Sequence, residues 1–306
     1  MISLVGYTGF VGSNLHVKGS FDRVYNSKNI TEAYGTCPDL LVYAGLRAEK
    51  YLANSDPAAD MQNIVEAQKN IEKIAPKRLV LISTVDVFKN PCGADENTPI
   101  DENGLHPYGY NRYQLELWVR ERYPDALIVR LPGLFGINIK KNFIYDYVNV
   151  IPFMLKKEKM EELAQRDPEL KDYYKMQNNG FYKVVELTAE AKDRLKAKFR
   201  ALGFSALNFT DSRSVYQMYN LSRLWGDIQT ALDRGITLWH PATEPVSAGE
   251  IYRYLSGDEF VNHLSGEPAA YDFRTVHAEA FGGEDGYIYS KQTVLKEIQE
   301  FVRGYE

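Results

Sequence analysis

Short apolar runs alternate with amphipathic segments along the first half of the chain. Apolar residues at helical spacing predict helices over residues 10–18 and 57–74, and a third helix that begins near Tyr108. Strands and helices that alternate in this rhythm predict an α/β fold with a parallel sheet and right-handed crossovers. The apolar runs predict buried strands over residues 2–5, 23–25, 39–45, 78–84 and 126–131.

The pattern changes after about residue 150, where charged residues become frequent. Residues 155–203 predict a helix, a short strand within residues 181–187, and a second helix capped by Thr188. Ser247 and Glu250 match a capping box, so a further helix is expected to start at residue 248. Amphipathic helices are also expected over residues 221–232 and 291–303, and a strand over residues 236–239.

Three glycines spaced three residues apart lie between the first strand and the first helix. A glycine turn lets the backbone approach phosphate groups, and a helix N-terminus offers free N–H groups and a partial positive charge. The spacing differs from the common G-x-G-x-x-G pattern, so a tight turn that binds nothing is the alternative. The predicted dinucleotide contacts here are Gly6, Thr8, Gly9, Phe10, Val11 and Gly12.

The end of the second strand bears on the choice between NAD and NADP. Asn26, Ser27 and Lys28 stand where a carboxylate often binds the ribose hydroxyl. Nothing there repels a 2′-phosphate and Lys28 could attract one, which favours NADP over NAD; the alternative is a solvated loop lysine. Ala44 and Gly45 end the third strand and are small enough to pass close to adenine or ribose, unless they form a plain turn.

We therefore predict a Rossmann-type doubly wound parallel sheet, joined to a smaller, interleaved C-terminal α+β substrate domain. The dinucleotide-binding domain is expected over residues 1–150, and residues 215–245 are expected to return to it. Residues 151–214 and 246–306 are expected to form the substrate domain.

Composition and charge argue against several classes of partner. The 306 residues carry a net charge of −5 and an isoelectric point near 5.7, so neither nucleic acid nor an anionic membrane is expected as partner. Cys37 and Cys92 are far apart, and we expect neither a disulfide framework nor a metal site. No run approaches the ~20 apolar residues of a membrane span, and the first strand leaves no room for a signal peptide. We expect a cytoplasmic protein.

Candidate chemistry lies at the end of the central strand and at the start of the third helix. Thr84 ends the strand, where ligands of open parallel sheets bind. Tyr108 and Arg112 are four residues apart and share one helix face, so the cation is expected to lower the pKa of the tyrosine. Such a tyrosine can exchange a proton with a substrate oxygen, shared with the threonine hydroxyl, while a hydride moves to or from nicotinamide.

Several segments resemble the extended short-chain dehydrogenases/reductases, also called the NAD-dependent epimerase/dehydratase family. Residues 6–12 match the family's G-x-x-G-x-x-G loop, and residues 108–112 are similar to its Y-G-x-[ST]-K segment. Residues 83–88 resemble the strand end that carries the catalytic Ser or Thr. Residues 129–136 resemble the segment where the chain passes the nicotinamide, and Asn63 falls near a helix asparagine often seen in the family.

The resemblance implies that Tyr108 is the acid/base and that Thr84 is its catalytic partner. It also implies a nucleotide-activated sugar as substrate, NADP or NAD as cofactor, and a homodimer formed by the helices that start near residues 57 and 108. Cofactor contacts outside the glycine turn are then expected at Asn26, Ser27, Lys28, Ala44, Gly45, Asn63, Ser83 and Pro132.

Two residues depart from the family pattern. The family has a lysine that binds the nicotinamide ribose and lowers the pKa of the tyrosine, so the resemblance implies the role of ribose and charge anchor for Arg112. Arginine and lysine are not interchangeable at a tight site. A working variant, an impaired enzyme and a cofactor-binding protein without turnover all stay open. Asp86 lies two residues after Thr84, so on an extended strand both side chains would face the same way. Asp86 is either a second catalytic acid/base or a partner of backbone N–H groups in the next loop.

Pyrophosphate recognition requires donors in the second half of the chain, and the candidates are Lys140, Lys141, Asn142 and Arg213, unless they are plain surface residues. Of these, Asn142 and Arg213 are predicted to bind the substrate. His106 and His240 have no partner pattern around them and are interpreted as ordinary loop histidines. The predicted function is an NAD(P)-dependent oxidoreductase, epimerase or dehydratase of a nucleotide sugar. The alternative is a non-catalytic dinucleotide-binding sensor or scaffold with the same fold.

Overall fold

A computed structural model describes residues 1–305 and divides the chain into two compact units. Unit 1 comprises Met1–Ile139, Val215–Val246 and Ala270–Ile298. Unit 2 comprises Lys140–Ser214, Ser247–Ala269 and the residues from 299 onward. Residues 270–298 thus lie in unit 1, whereas the sequence pattern assigns them to the substrate domain.

The regular elements are named here in chain order. They are β1 Ile2–Val5, α1 Phe10–Lys18, β2 Arg23–Tyr25, β3 Leu40–Tyr43, α2 Lys50–Ser55, α3 Pro57–Ile74, β4 Leu79–Thr84, α4 Pro107–Arg122, β5 Leu127–Leu131, β6 Gly133–Phe135, α5 Phe143–Asn149, β7 Met154–Lys156, α6 Lys157–Arg166, β8 Tyr174–Met176, β9 Phe181–Val184, α7 Ala189–Leu202, β10 Val215–Tyr216, β11 Met218–Asn220, α8 Leu224–Asp233, β12 Leu238–Trp239, β13 Val246–Ser247, α9 Ala248–Ser256 and α10 Lys291–Arg303.

Unit 1 is built on a six-stranded sheet with the order β12-β5-β4-β3-β1-β2. Each pair of neighbouring strands is parallel, and β4 and β5 share the longest register, from Val80 opposite Leu127 to Thr84 opposite Leu131. The order of the strands changes direction at β1, which lies between β2 and β3. This arrangement confirms the predicted Rossmann-type, doubly wound α/β fold.

Both faces of this sheet are covered by apolar side chains, because successive strand residues point to opposite faces. Leu4 packs in a cluster with Leu15 of α1 and Ile228 of α8. Its neighbour Val5 packs on the other face with Ile64 of α3, in a cluster that also contains side chains of α4. Burial on both faces explains why the strands are nearly continuous apolar runs in the sequence.

The helices of the second face begin at residues that fit helix starts. Asp56 precedes α3 and its carboxylate accepts the Ala59 N–H at 3.0 Å, while Pro57 takes the first helical position. Pro107 takes the same position in α4, where the ring nitrogen Nδ1 of His106 accepts the Gly109 N–H at 3.1 Å. These local signals place both helices where the sequence predicts them.

Unit 2 contains a small antiparallel sheet with the order β7-β9-β8. Side chains of α6 and α7, such as Leu163 and Phe199, share an apolar cluster with Leu155 of β7. Thr188 caps α7, and Ser247 and Glu250 form the predicted capping box at the start of α9. Among residues 1–305, no helix combines the length and the apolar character needed to cross a membrane.

Candidate active site

The glycine turn after β1 is packed against the end of β3. The Gly6 N–H donates to the carbonyl oxygen of Tyr25 at 2.7 Å, and the residue has a φ of 94°, a backbone conformation that favours glycine. A Cβ added to Gly6 would lie 2.3 Å from the carbonyl oxygen of Ala44, and one added to Gly12 would lie 2.0 Å from the Gly6 oxygen. Only glycine fits at these two positions, at the point where the strand order changes.

Helix α1 starts directly from this turn. Gly9 is its N-cap residue and no side chain caps the first N–H groups. Phe10 and Val11 are half-buried, while Thr8 is exposed. A glycine cradle followed by an uncapped helix N-terminus fits the pyrophosphate of a dinucleotide, because the backbone can come close and the helix end is positive.

The end of β2 forms a tight turn made by two asparagines. The side-chain oxygen of Asn29 accepts the Asn26 N–H, and the Asn26 oxygen accepts the Lys28 N–H, both at 2.8 Å. Ser27 and Lys28 are exposed. The side-chain oxygen of Asn26 therefore stabilises the turn. Contacts of Ser27 and Lys28 with the ribose or with a 2′-phosphate stay a prediction.

The other predicted cofactor residues lie on separate elements of unit 1. Ala44 and Gly45 directly follow β3, and Pro132 lies between β5 and β6. The Asn63 side chain donates to the Ala59 carbonyl within α3, at 3.1 Å. Ser83 turns inward, because its hydroxyl donates to the carboxylate of Glu116 at 2.5 Å. The proton of the Ser83 hydroxyl is thus engaged by Glu116 and is not offered to a cofactor.

Strand β4 ends at Thr84 and continues as a 3-10 turn over Val85–Val87. The Thr84 hydroxyl oxygen accepts the Asp86 N–H at 3.1 Å. The expectation that Thr84 and Asp86 share one face of an extended strand is wrong, since the turn rotates the chain after Thr84. The Asp86 carboxylate binds the ammonium of Lys50 at 2.8 Å, not the backbone of the next loop.

The start of α4 is pressed against this turn. A Cβ on Gly109 would lie 2.0 Å from the carbonyl oxygen of Asp86, so glycine is required for the approach. The neighbouring residue Tyr108 is buried, and its N–H donates to the side chain of Asn54 at 3.0 Å. The predicted acid/base Tyr108 and the Thr84–Asp86 turn are thereby brought together.

Arg112 lies one helical turn after Tyr108 and is 3% exposed. Its Nη1 forms an ion pair with Asp60 of α3, and its Nη2 donates to the carbonyl oxygen of Arg47 at 2.7 Å. The guanidinium carbon lies 3.9 Å from the centroid of the Tyr108 ring, in a cation–π contact. Asn111 also donates to the Asp60 carboxylate, at 2.8 Å.

This arrangement reverses the expected effect on the tyrosine. Burial raises the pKa of Tyr108 above 10.0 and outweighs the lowering by Arg112. The negative charges of Asp86 and Asp60 raise this pKa further. The predicted lowering is therefore wrong, because the sequence pattern gave the cation but neither the burial nor the two carboxylates.

Sequence reasoning missed a second buried ion pair on α4. Glu116 and Arg130 are both almost fully buried, and Arg130 Nη2 lies 2.6 Å from the Glu116 carboxylate. The sequence does contain a signal for them. Glu116 interrupts the apolar inner face of α4, and Arg130 interrupts the apolar run of β5. The Glu116 carboxylate also accepts the hydrogen bond of the Ser83 hydroxyl, so the pair contacts the end of β4.

Both histidines lie outside the helices and strands, as the sequence interpretation has them, but their surroundings differ. His106 is half-buried and caps α4, and burial lowers its pKa. His240 is fully buried: its Nδ1 lies 3.1 Å from the Arg274 carbonyl oxygen and its Nε2 lies 3.4 Å from Arg130 Nη1. Burial and the charge of Arg130 lower the pKa of His240 to about 3. His240 thus lies in the loop after β12, but its ring is buried in the core.

The two predicted substrate residues belong to unit 2. The Asn142 side chain caps α5 by accepting the Tyr145 N–H at 3.1 Å. The Arg213 guanidinium binds Asp211, with Nη2 and Oδ2 separated by 2.7 Å. Their role in substrate binding stays a prediction. Within residues 1–305, no group of His, Cys, Asp and Glu side chains is arranged to hold a metal ion.

Comparison with known proteins identifies the fold. No model of a known protein family matches the chain, and no curated protein matches it. Among solved structures, dTDP-4-dehydrorhamnose reductase from Bacillus anthracis in complex with NADP is similar over 100% of this chain and 99% of its own, with a TM-score of 0.62 and 15% identity.

Two further structures give the same result. UDP-glucose 4-epimerase from Thermotoga maritima, solved with UDP-glucose, is similar over 99% of this chain and 98% of its own, with a TM-score of 0.61 and 13% identity. A short-chain dehydrogenase/reductase superfamily protein from Agrobacterium tumefaciens with bound NAD is similar over 99% of this chain and 97% of its own, with a TM-score of 0.60 and 13% identity. The chain therefore has the fold of these Rossmann-type proteins, as the sequence resemblance implies.

Proposed function

We propose that the protein binds NAD or NADP at the crevice beside β1 and β3, and uses it in oxidoreductase, epimerase or dehydratase chemistry on a nucleotide-activated sugar. The observation that carries the proposal is the close packing of the glycine turn, where a Cβ on Gly6 or Gly12 would collide with the backbone of Ala44 or Gly6. Thr84 and Tyr108 lie at the same carboxyl edge of the sheet, two strands away.

Each group then has a defined role. The N–H groups at the start of α1 hold the pyrophosphate, and the exposed Lys28 favours a 2′-phosphate. A bound nicotinamide supplies or accepts the hydride. Tyr108 exchanges the proton of the substrate oxygen, and the Thr84 hydroxyl shares a hydrogen bond with that oxygen. Asn142 and Arg213 are proposed to bind the substrate.

The similar structures support the cofactor and the substrate class. They include complexes with NADP, with NAD and with UDP-glucose. The chain is similar over nearly its full length to a reductase and also to an epimerase. The fold therefore does not select the reaction subclass, which depends on the residues of the site.

A pair of glycine variants tests the cofactor site. Gly12→Ala places a methyl group 2.0 Å from the Gly6 oxygen, whereas Gly9→Ala places one at 3.3 Å from the same atom. Calorimetric titration with NADPH and with NADH is expected to show binding to the wild type, a loss of about 100-fold or more in Gly12→Ala, and a much smaller loss in Gly9→Ala. No binding of either dinucleotide to the wild-type protein would refute the proposed function.

Activity is tested with a panel of nucleotide sugars, by following absorbance of the reduced cofactor and analysing products of redox-neutral reactions. Tyr108→Phe is expected to reduce turnover by about 10²–10⁴-fold while dinucleotide binding is retained. The competing candidate is a non-catalytic dinucleotide-binding sensor. Arg112 occupies the position of the family's lysine, and its ion pair with Asp60 favours the sensor because the cation is already engaged. Dinucleotide binding without turnover of any substrate would support the sensor.

A further inference from the structure

Asp60, Arg112 and Tyr108 form one buried unit between α3 and α4. Their exposed fractions are 7%, 3% and 8%. The Arg112 guanidinium is held on two sides, by the Asp60 carboxylate and by the Arg47 carbonyl oxygen. Its flat face therefore lies against the Tyr108 ring with little freedom to move toward a ligand. Arg112 is anchored in a position that a ribose-binding cation would have to leave.

The charges near Tyr108 are compensated in pairs. Arg112 is paired with Asp60, and Lys50 is paired with Asp86 at 2.8 Å. His106 adds no charge near neutral pH, because burial lowers its pKa and its Nδ1 accepts a backbone N–H. Lys50 of α2, Asp60 of α3, Asp86 after β4, His106 and Arg112 of α4, and Tyr271, which faces the Lys50–Asp86 pair, are the titratable groups around this tyrosine.

A buried phenol surrounded by neutral ion pairs keeps its proton. The charged phenolate loses hydration on burial, and no unpaired cation replaces that hydration. A guanidinium on the ring face by itself would favour the phenolate, but the carboxylate of Asp60, which is paired with the same cation, opposes this effect.

We propose that Asp60 is a positioning residue: it pairs with Arg112 and so adds to the effect of burial, and together they keep Tyr108 as a protonated phenol, which favours carbonyl reduction over oxidation of a hydroxyl. This inference rests on the proposed function and narrows it to a reductase. An epimerase or dehydratase must first oxidise a hydroxyl, and for that step the tyrosine must begin as a base. A reductase needs the tyrosine as an acid from the start.

The reduction balances as follows in atoms and electrons. The carbonyl carbon of the sugar accepts a hydride from the reduced dinucleotide, and the C=O electron pair moves to the oxygen. That oxygen takes the proton of the Tyr108 hydroxyl, so a new C–H and a new O–H bond form. The sugar is reduced, the dinucleotide is oxidised, and Tyr108 regains its proton from water.

The protonation state of Tyr108 is measurable without substrate or cofactor. The chain has 22 tyrosines, so the ultraviolet tyrosinate signal of Tyr108→Phe is subtracted from that of the wild type over a pH titration. The wild type is expected to show no Tyr108 tyrosinate below about pH 10. Ionisation of Tyr108 below about pH 8 would overturn the proposal.

Asp60→Asn tests the role of the carboxylate. The charge of Arg112 beside the ring is then uncompensated, so Tyr108 is expected to ionise at least one pH unit lower than in the wild type. The double variant Asp60→Asn/Tyr108→Phe supplies the background that is subtracted. Asp60→Glu retains the charge and is expected to restore the wild-type titration. An unchanged titration in Asp60→Asn would overturn the proposal. If Asp60→Asn does not fold, Arg112→Met is used instead, and a tyrosine that ionises more easily in that variant than in the wild type contradicts the proposal.

The reaction direction is tested on the full chain with two substrate probes. With NADPH, a nucleotide sugar that carries a ketone is expected to be reduced, with a rate that falls above the pH of Tyr108 ionisation. UDP-glucose with NAD is expected to give neither epimer nor oxidised product. Epimerised or dehydrated product would overturn this inference while supporting the proposed function, whereas absence of dinucleotide binding would refute the proposed function itself.

Discussion

Helix α4 carries two buried carboxylate–arginine pairs one turn apart, and they differ in what lies around them. Arg112 pairs with Asp60 beside the Tyr108 ring, and its second terminal nitrogen binds a backbone carbonyl. Glu116 pairs with Arg130 in the interior, where its carboxylate also accepts the Ser83 hydroxyl. The first pair has the acid/base candidate as its neighbour, and the second pair joins α4 to the adjacent strands β4 and β5.

The difference shows how one helix can serve two purposes. A buried ion pair is costly to desolvate, and losing one partner leaves a charge without compensation. At Glu116 the consequence is structural, because the carboxylate links two strands of the central sheet. At Asp60 the consequence also reaches the chemistry, because the compensated cation touches Tyr108. Breaking each pair should therefore separate loss of stability from change in protonation.

The largest effect is expected from Glu116→Gln. The amide keeps one acceptor oxygen, but it cannot accept all four hydrogen bonds that the Glu116 carboxylate receives from Arg130 and Ser83, and Arg130 stays charged in the core. The free energy of unfolding, measured by urea denaturation, should fall by about 3–5 kcal/mol. The double variant Glu116→Gln/Arg130→Met removes both charges and should recover part of the loss. A loss below about 1 kcal/mol in the single variant would contradict this account.

Asp60→Asn is expected to cost less, about 1–3 kcal/mol. The amide oxygen can still accept a hydrogen bond from Arg112, and the guanidinium keeps the Arg47 carbonyl and the Tyr108 ring. The same denaturation measurement decides the order of the two amide variants. Equal losses for Asp60→Asn and Glu116→Gln would show that the two pairs do not differ in the way described.

Stability should also depend on acid through His240, which lies beside Arg130. The unfolded side chain binds a proton near pH 6.5, whereas burial lowers the pKa in the folded protein to about 3. The unfolded state therefore takes up more protons below pH 6.5, and the stability contribution is lost as the pH falls. Between pH 6.5 and about pH 5.5 the loss is expected to be about 1 kcal/mol.

His240→Gln is the control for this pH dependence, since glutamine does not titrate. Urea denaturation of both proteins at the two pH values should show the smaller slope in the variant. Identical slopes would place the titrating group elsewhere in the protein.

The smallest effect is expected from Arg120→Ala. Arg120 lies 3.6 Å from the same Glu116 carboxylate, but its side chain is largely exposed. Solvent screens this contact, so the free energy of unfolding should change by less than about 1 kcal/mol. The comparison with Arg130 isolates the effect of burial around one carboxylate, and a loss of several kcal/mol here would contradict it.

Much of the fold follows from local patterns. Helices α1, α3 and α10 have the predicted bounds, because apolar spacing and end signals such as Asp56 and Pro57 act within a few residues. Strand ends were predicted less well: β12 is Leu238–Trp239, shorter than the predicted 236–239, since pairing with β5 sets its length. Residues 270–290 offered no long periodic run, and the place of residues 270–298 in unit 1 depends on distant contacts such as Gly93 with Asp272.

Part of the candidate site could be predicted from local sequence patterns in the same way. Tyr108 and Thr84 were found from their positions at a helix start and a strand end. Asp86 was misplaced because a strand was assumed to continue, whereas the Thr84 hydroxyl caps a 3-10 turn. Glu116 and Arg130 escaped notice because a charged residue within an apolar pattern acquires meaning only when its partner is known.

The sequence by itself determined the turn after β1 and the parallel sheet around it. The spacing of the glycines, the close contact of Gly12 with Gly6, and the alternation of apolar strands with helices are properties of residues that are near one another in the sequence. Only the tertiary structure decided the charge around Tyr108. The sequence placed a cation four residues away, but Asp60, 52 residues earlier, and burial between two helices set the proton on the tyrosine. Desolvation and charge pairing depend on what surrounds a group in space, and neither is written in its local pattern.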